Sequence, residues 1–68
     1  MRALETMRKK KQMTQKALSA KSSVSQQTIS AIEAGQMKNP GIVTLRRLAT
    51  ALECNVDDIF PDEEGATQ

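Results

Sequence analysis

Apolar residues recur along this chain at three- and four-residue spacing in five short stretches, and no stretch alternates with the period of a strand. From Ala3 to about Lys11, Ala3, Leu4 and Met7 share one side, and the cations Arg8, Lys9, Lys10 and Lys11 gather at the C-terminal end, where a helix dipole favours them. Met13-Thr14 predicts the next helix entry, with Thr14 as N-cap and Met13 placed to pack on Leu18. That helix runs from Gln15 to Ser22. Ser23-Val24-Ser25 repeats the pattern: Ser25 is the N-cap and Val24 pairs with Ile29, so a third helix starts at Gln26. It closes near Ala34-Gly35, since glycine readily supplies a left-handed closing residue.

Gln36 to Pro40 reads as loop, because Pro40 disfavours helical geometry at Asn39. A fourth helix, about Ile42 to Leu52, puts Leu45, Leu48, Ala49 and Leu52 on one face and Arg46 and Arg47 opposite. Asn55 caps a last short helix from Val56 to Phe60, with Asp57 and Asp58 in its first turn, and Pro61 stops it. The expectation is an all-α, compact five-helix domain over residues 1–61, followed by an acidic, disordered tail over 62–68.

Length and composition narrow the function. Of 68 residues, 38% are apolar, enough for one small core. There is no histidine, and the single cysteine, Cys54, allows neither an internal disulfide nor a plausible metal site. A buried, inert thiol is expected there. Isolated carboxylates and lysines are explained by helix dipoles and solvation, so no catalytic set, metal or cofactor is expected. No stretch approaches the ~20 apolar residues of a membrane helix, and the first residues lack the features of a secretory signal, so a soluble, cytoplasmic protein is expected. Phe60 is the only aromatic residue, which argues against base-stacking recognition of single strands.

The net charge of +2 conceals a polarity. Residues 1–48 hold all ten Lys and Arg against Glu5 and Glu33, a balance of +8, while residues 49–68 hold six carboxylates and no base. A basic body attracts polyanions.

The second and third helices are joined by a turn of helix-turn-helix length. On the third, Val24, Thr28, Ile29 and Ile32 fall to the packing side, leaving Gln26, Gln27, Ser30 and Ala31 outward. Two amides, a hydroxyl and a methyl suit base edges in the major groove: glutamine bonds adenine bidentately and a methyl touches thymine. An ordinary solvated helix face fits the same four residues.

The ensemble Leu4…Arg8, Thr14-Gln15…Leu18, Val24-Ser25-Gln26-Gln27-Thr28-Ile29-Ser30…Ile32-Glu33…Gly35, Asn39-Pro40, Leu45…Leu48-Ala49…Leu52 and Asp57…Ile59-Phe60 resembles the Xre family of Cro and repressor-type helix-turn-helix domains. The resemblance covers residues 3–60 and implies a lambda-repressor-like bundle that binds double-stranded DNA. It implies base contacts from Gln26, Gln27, Ser30 and Ala31, and backbone contacts from Thr14, Gln15, Lys38 and Asn39, with Lys9, Lys10 and Lys11 as further backbone candidates. Arg8 and Glu33 match a pair that joins the first helix to the third inside the domain. Departures fall at Ser23 and Glu53, where the family commonly has glycine, and at Ala34.

A single helix-turn-helix reads few base pairs, so a homodimer is expected, its interface drawn from Val56, Ile59 and Phe60. The function expected is a small transcriptional regulator, a repressor on a palindromic operator. The alternative is an antitoxin-like or adaptor protein whose working surface is the acidic end and helix five.

Overall fold

A computed structural model describes residues 2–37 and 39–60 of the chain. Among them are five helices and no strand: α1 (Arg2–Lys10), α2 (Gln15–Ser22), α3 (Gln26–Glu33), α4 (Ile42–Leu52) and α5 (Val56–Ile59). The expected tail and Lys38 lie outside the described residues.

Each helix is bounded by the local chemistry of its ends. Thr14 accepts the Ala17 N–H at 3.0 Å and Ser25 the Thr28 N–H at 3.1 Å, so α2 and α3 start on side-chain caps. At α5 the Asp58 carboxylate accepts the backbone N–H of Asn55 at 3.0 Å. The C-terminal ends of α1 to α4 each turn on a left-handed residue: Gln12, Ser23, Gly35 and Glu53, with φ of 60°, 63°, 81° and 57°. At Gln12, Gly35 and Glu53 the next residue's N–H also reaches back across the turn, to Arg8, Ala31 and Ala49 respectively. Ser23 and Glu53 thus adopt the conformation their glycine-favoured positions call for. Gln12 does so without any glycine signal.

The core is a single cluster. Leu4, Leu18, Ile29, Ile32, Leu48, Leu52 and Ile59 are fully buried, with Val24, Ala49 and Ala51 around them. Each large side chain removed from water contributes about 1.5–3 kcal/mol. α2 packs on both α3 and α4, α5 on α4 and α1, and α1 on α3.

Two expectations are corrected here. Ile59 has no exposed surface and its side chain fills the core between α4, α5 and α1, so it is not available to an interface. Cys54 is half-buried, packed against the rim of the core. Burial and the nearby Asp58 push its thiol pKa up, with Lys11 opposing, so it stays protonated at neutral pH.

Candidate nucleic-acid interface

The cap at Thr14 satisfies one amide of the first turn of α2 and leaves others. The N–H groups of Gln15 and Lys16 have no partner among the described residues, as the start of any helix requires. Outward-pointing amides at the positive end of a helix form a ready seat for a phosphate. The hydroxyl of Thr14, exposed and used only as an acceptor in its cap, keeps its proton for a second bond. Lys16 is exposed on the same turn. The sequence reasoning missed it, although a cation on a first turn opposes the helix dipole and so does little for stability.

On α3, Gln26, Gln27 and Ser30 are exposed, while Ala31 is half-buried at the edge of the face. The Ser25 hydroxyl donates to Thr28 Oγ1 at 2.8 Å, which fixes Thr28 half-buried beside the cap and holds the helix start rigid. At the other end, the Ala31 carbonyl accepts the N–H groups of both Gln36 and Met37, so α3 runs directly into the following loop. Gln15 and Ser30 line a common dip with Glu5, Glu33 and Ala34, which joins the start of α2 to the face of α3.

Beneath this dip lies the ion pair. Arg8 Nε donates to Glu33 Oε2 at 2.8 Å and Nη2 to Oε1 at 3.1 Å, with the two side chains 10% and 6% exposed. The third guanidinium nitrogen, Nη1, donates to the Met13 carbonyl at 2.8 Å. Hydrogen bonding to Glu33 raises the pKa of Arg8 further, against the opposing effect of burial. Gln15 Nε2 donates to Glu33 Oε1 at 2.9 Å, so one carboxylate ties α1, α2 and α3 together. No polar side-chain atom buried among the described residues lacks a partner.

Residues 4–59 match the family model of helix-turn-helix domains, a span from the first core leucine in α1 to the end of α5. The chain belongs to the Xre-type helix-turn-helix family. This is a family of DNA-binding regulatory domains and not of enzymes, so the partner of this helix-turn-helix domain is double-stranded DNA. No curated protein and no solved structure matches the chain. No helix among the described residues is long and apolar enough to cross a membrane.

The remaining candidates of the helix-turn-helix domain fall into two places. Asn39 is exposed in the loop before α4, whose N-cap, Gly41, offers no side chain; the start of α4, unlike that of α2, therefore has no side-chain cap. Lys9 pairs with Glu5 at 3.0 Å across one turn of α1. Lys10 and Lys11 line a cleft with Glu53, Cys54 and Asp58, at the α4–α5 side of the domain, whose walls include no residue of α3. Val56 and Phe60 are half-buried.

Proposed function

We propose that this domain is a cytoplasmic transcriptional repressor that binds a palindromic operator as a homodimer. Gln26, Gln27 and Ser30 read base edges in the major groove, with Ala31 at the margin of the contact. Thr14, Gln15 and the free amides of α2 hold one phosphate stretch, and Lys38, Asn39 and the start of α4 hold another. The observation that carries the reading is the pairing of an exposed amide-and-hydroxyl face on α3 with the outward start of α2, whose first two amides stay free beside the Thr14 cap, locked to that face through Gln15 and Glu33. Val56 and Phe60, half-buried at the two ends of α5, belong to the dimer side of the domain. Two copies then address half-sites about 34 Å apart, or a multiple of that.

Selection of duplexes from a random pool at near-physiological salt tests this directly. A palindrome with half-sites one turn apart is expected. Gln26→Ala and Gln27→Ala should each weaken binding to it by about 1–3 kcal/mol with unchanged melting temperature. Recovery of unrelated sequences, or a partner protein whose binding survives both substitutions, would favour the adaptor reading instead.

A further inference from the structure

The positive charge of the domain is not concentrated on the α3 face. Val43, Arg46, Arg47 and Thr50 recur at three- and four-residue spacing along one side of α4, all exposed, and Glu53, also exposed, follows as the left-handed residue that ends the helix, sharing a cleft with Thr50. Arg46 and Arg47 stand with Lys21 along a groove between α2 and α4 that Val43 also lines, and none of these three cations has an ion-pair partner among the described residues. Asp57 and Asp58, exposed on the first turn of α5, extend the anionic end begun by Glu53. Lys10 and Lys11 share a cleft with Glu53 and Asp58, yet no ion pair closes across it among the described residues, and Asp57 is not part of its walls.

The exposed side of α4 therefore reads, from its N-terminal end, apolar, cation, cation, neutral, anion. Laid parallel against itself, that order sets like charges together. Laid antiparallel about a twofold axis at Thr50, it sets Arg47 opposite the partner's Glu53, directs Arg46 toward the partner's acidic α5 turn, and repeats both pairings by symmetry. Such a contact is isologous, the same patch serving both copies. Val43, which at 59% exposure is one of two large apolar side chains left in water among the described residues, stands at the N-terminal end of this stripe.

We propose that this side of α4 is the docking surface for a second copy of the chain, antiparallel, with Thr50 at the axis. The proposal deepens the dimeric reading above, centring the contact on α4 in place of Val56 and Phe60, and rests on that reading for the operator's symmetry, while the contact itself is measurable without DNA.

Sedimentation of the full chain at low and high salt, with circular dichroism to verify folding, tests it. Wild-type protein should dimerise, more weakly as salt rises. Arg46→Glu with Arg47→Glu, and separately Glu53→Lys with Asp57→Lys, should each raise the dissociation constant by at least roughly tenfold, and an equal mixture of the two should recover association. Asp58 is left alone because it bonds the start of α5. Thr50→Arg, which opposes two cations across the axis, should act like either reversal. A wild-type monomer at all concentrations, a dimer indifferent to both reversals, or folded variants that do not recover on mixing overturns the proposal. So does an Arg46→Glu/Arg47→Glu protein that loses DNA affinity but self-associates normally, since the stripe would then serve duplex phosphates. Association that is seen only with an acidic partner protein overturns it as well. Gln26→Ala should leave sedimentation unchanged, which separates failure of this contact from failure of DNA reading.

Discussion

Glu33 illustrates how one side chain serves both folding and binding. Its carboxylate accepts two bonds from Arg8 and one from Gln15 in a nearly closed site. Removing either member of the pair strands a charge, so Arg8→Ala or Glu33→Ala should cost about 3–5 kcal/mol by chemical denaturation. Arg8→Met combined with Glu33→Leu should recover most of that loss, but not DNA affinity, because Gln15 loses its brace. The sign of the pH effect follows from the raised pKa of Arg8: its stabilisation is complete below the ordinary arginine value of the unfolded chain and is lost only as pH rises through the still higher folded value. Stability owed to Arg8 should thus be level between pH 5 and 8. The left-handed residues make the opposite kind of prediction. Ser23 and Glu53 hold φ of 63° and 57° with side chains attached, a conformation costing about 1–2 kcal/mol. Ser23→Gly and Glu53→Gly should each stabilise the domain by about 0.5–1 kcal/mol, the remainder being offset by the entropy glycine adds to the unfolded chain. A lower thermal midpoint for both would show that their side chains contribute contacts that outweigh the backbone.

The helices themselves were almost wholly legible in the sequence, because their boundaries are set by residues within four positions of each end. Thr14 and Ser25 cap as their hydroxyls dictate, and Gly35 closes α3. What local patterning did not show has tertiary causes. The reversal at Gln12 follows no glycine or asparagine; the Arg8 guanidinium holds the Met13 carbonyl next to it, and that grip fixes the turn. Ile42 falls on the apolar arc of α4 by spacing, yet is 55% exposed, since at the helix's first residue no neighbouring element reaches it. Ile59 looked available for a partner because a four-residue helix gives too little periodicity to tell its buried side from its open one. Among the candidate contacts, Gln26, Gln27 and Ser30 were legible as an outward face, while the significance of Lys16 lay in the dipole it opposes rather than in any motif. At the scale of the element, Ser25 is the informative test. Ser25→Ala removes the cap of α3 and the bond to Thr28 together, and should cost about 1 kcal/mol of stability. DNA affinity should fall in parallel through a frayed recognition helix, an effect visible as faster amide exchange at Thr28 and Ile29, whose N–H groups bond Ser25; unchanged exchange there would mean tertiary packing alone holds the helix start.

For the whole molecule the question is where its charge is used. A balance of +8 over residues 1–48 predicts attraction to any polyanion, but the described residues proposed to touch the operator are neutral: Thr14, Gln15, Gln26, Gln27, Ser30 and Asn39. Lys9 is paired with Glu5, Lys10 and Lys11 share a cleft with Glu53 and Asp58, and Arg46 and Arg47 lie along the α2–α4 groove. With Arg8 paired to Glu33 and Lys21 in the same α2–α4 groove, Lys16 is the cation among the described side chains left to neutralise phosphate beside the reading face, and Lys38 is proposed as a second. Counterion release scales with the phosphates that cations neutralise, at a slope of about −0.9 per contact in a plot of log affinity against log salt. Each bound copy should therefore contribute a slope near −2, far shallower than ten cations suggest, and neutral hydrogen bonds should carry the rest of the affinity. Lys16→Ala should reduce the slope by about one per bound copy, whereas Lys10→Ala and Lys11→Ala should leave it unchanged. Fluorescence anisotropy on the selected operator across a salt series decides the matter. A steep slope that Lys10→Ala and Lys11→Ala reduce would mean that the duplex extends over the α1–α5 side, and the proposed footprint of the domain would have to be redrawn around α1.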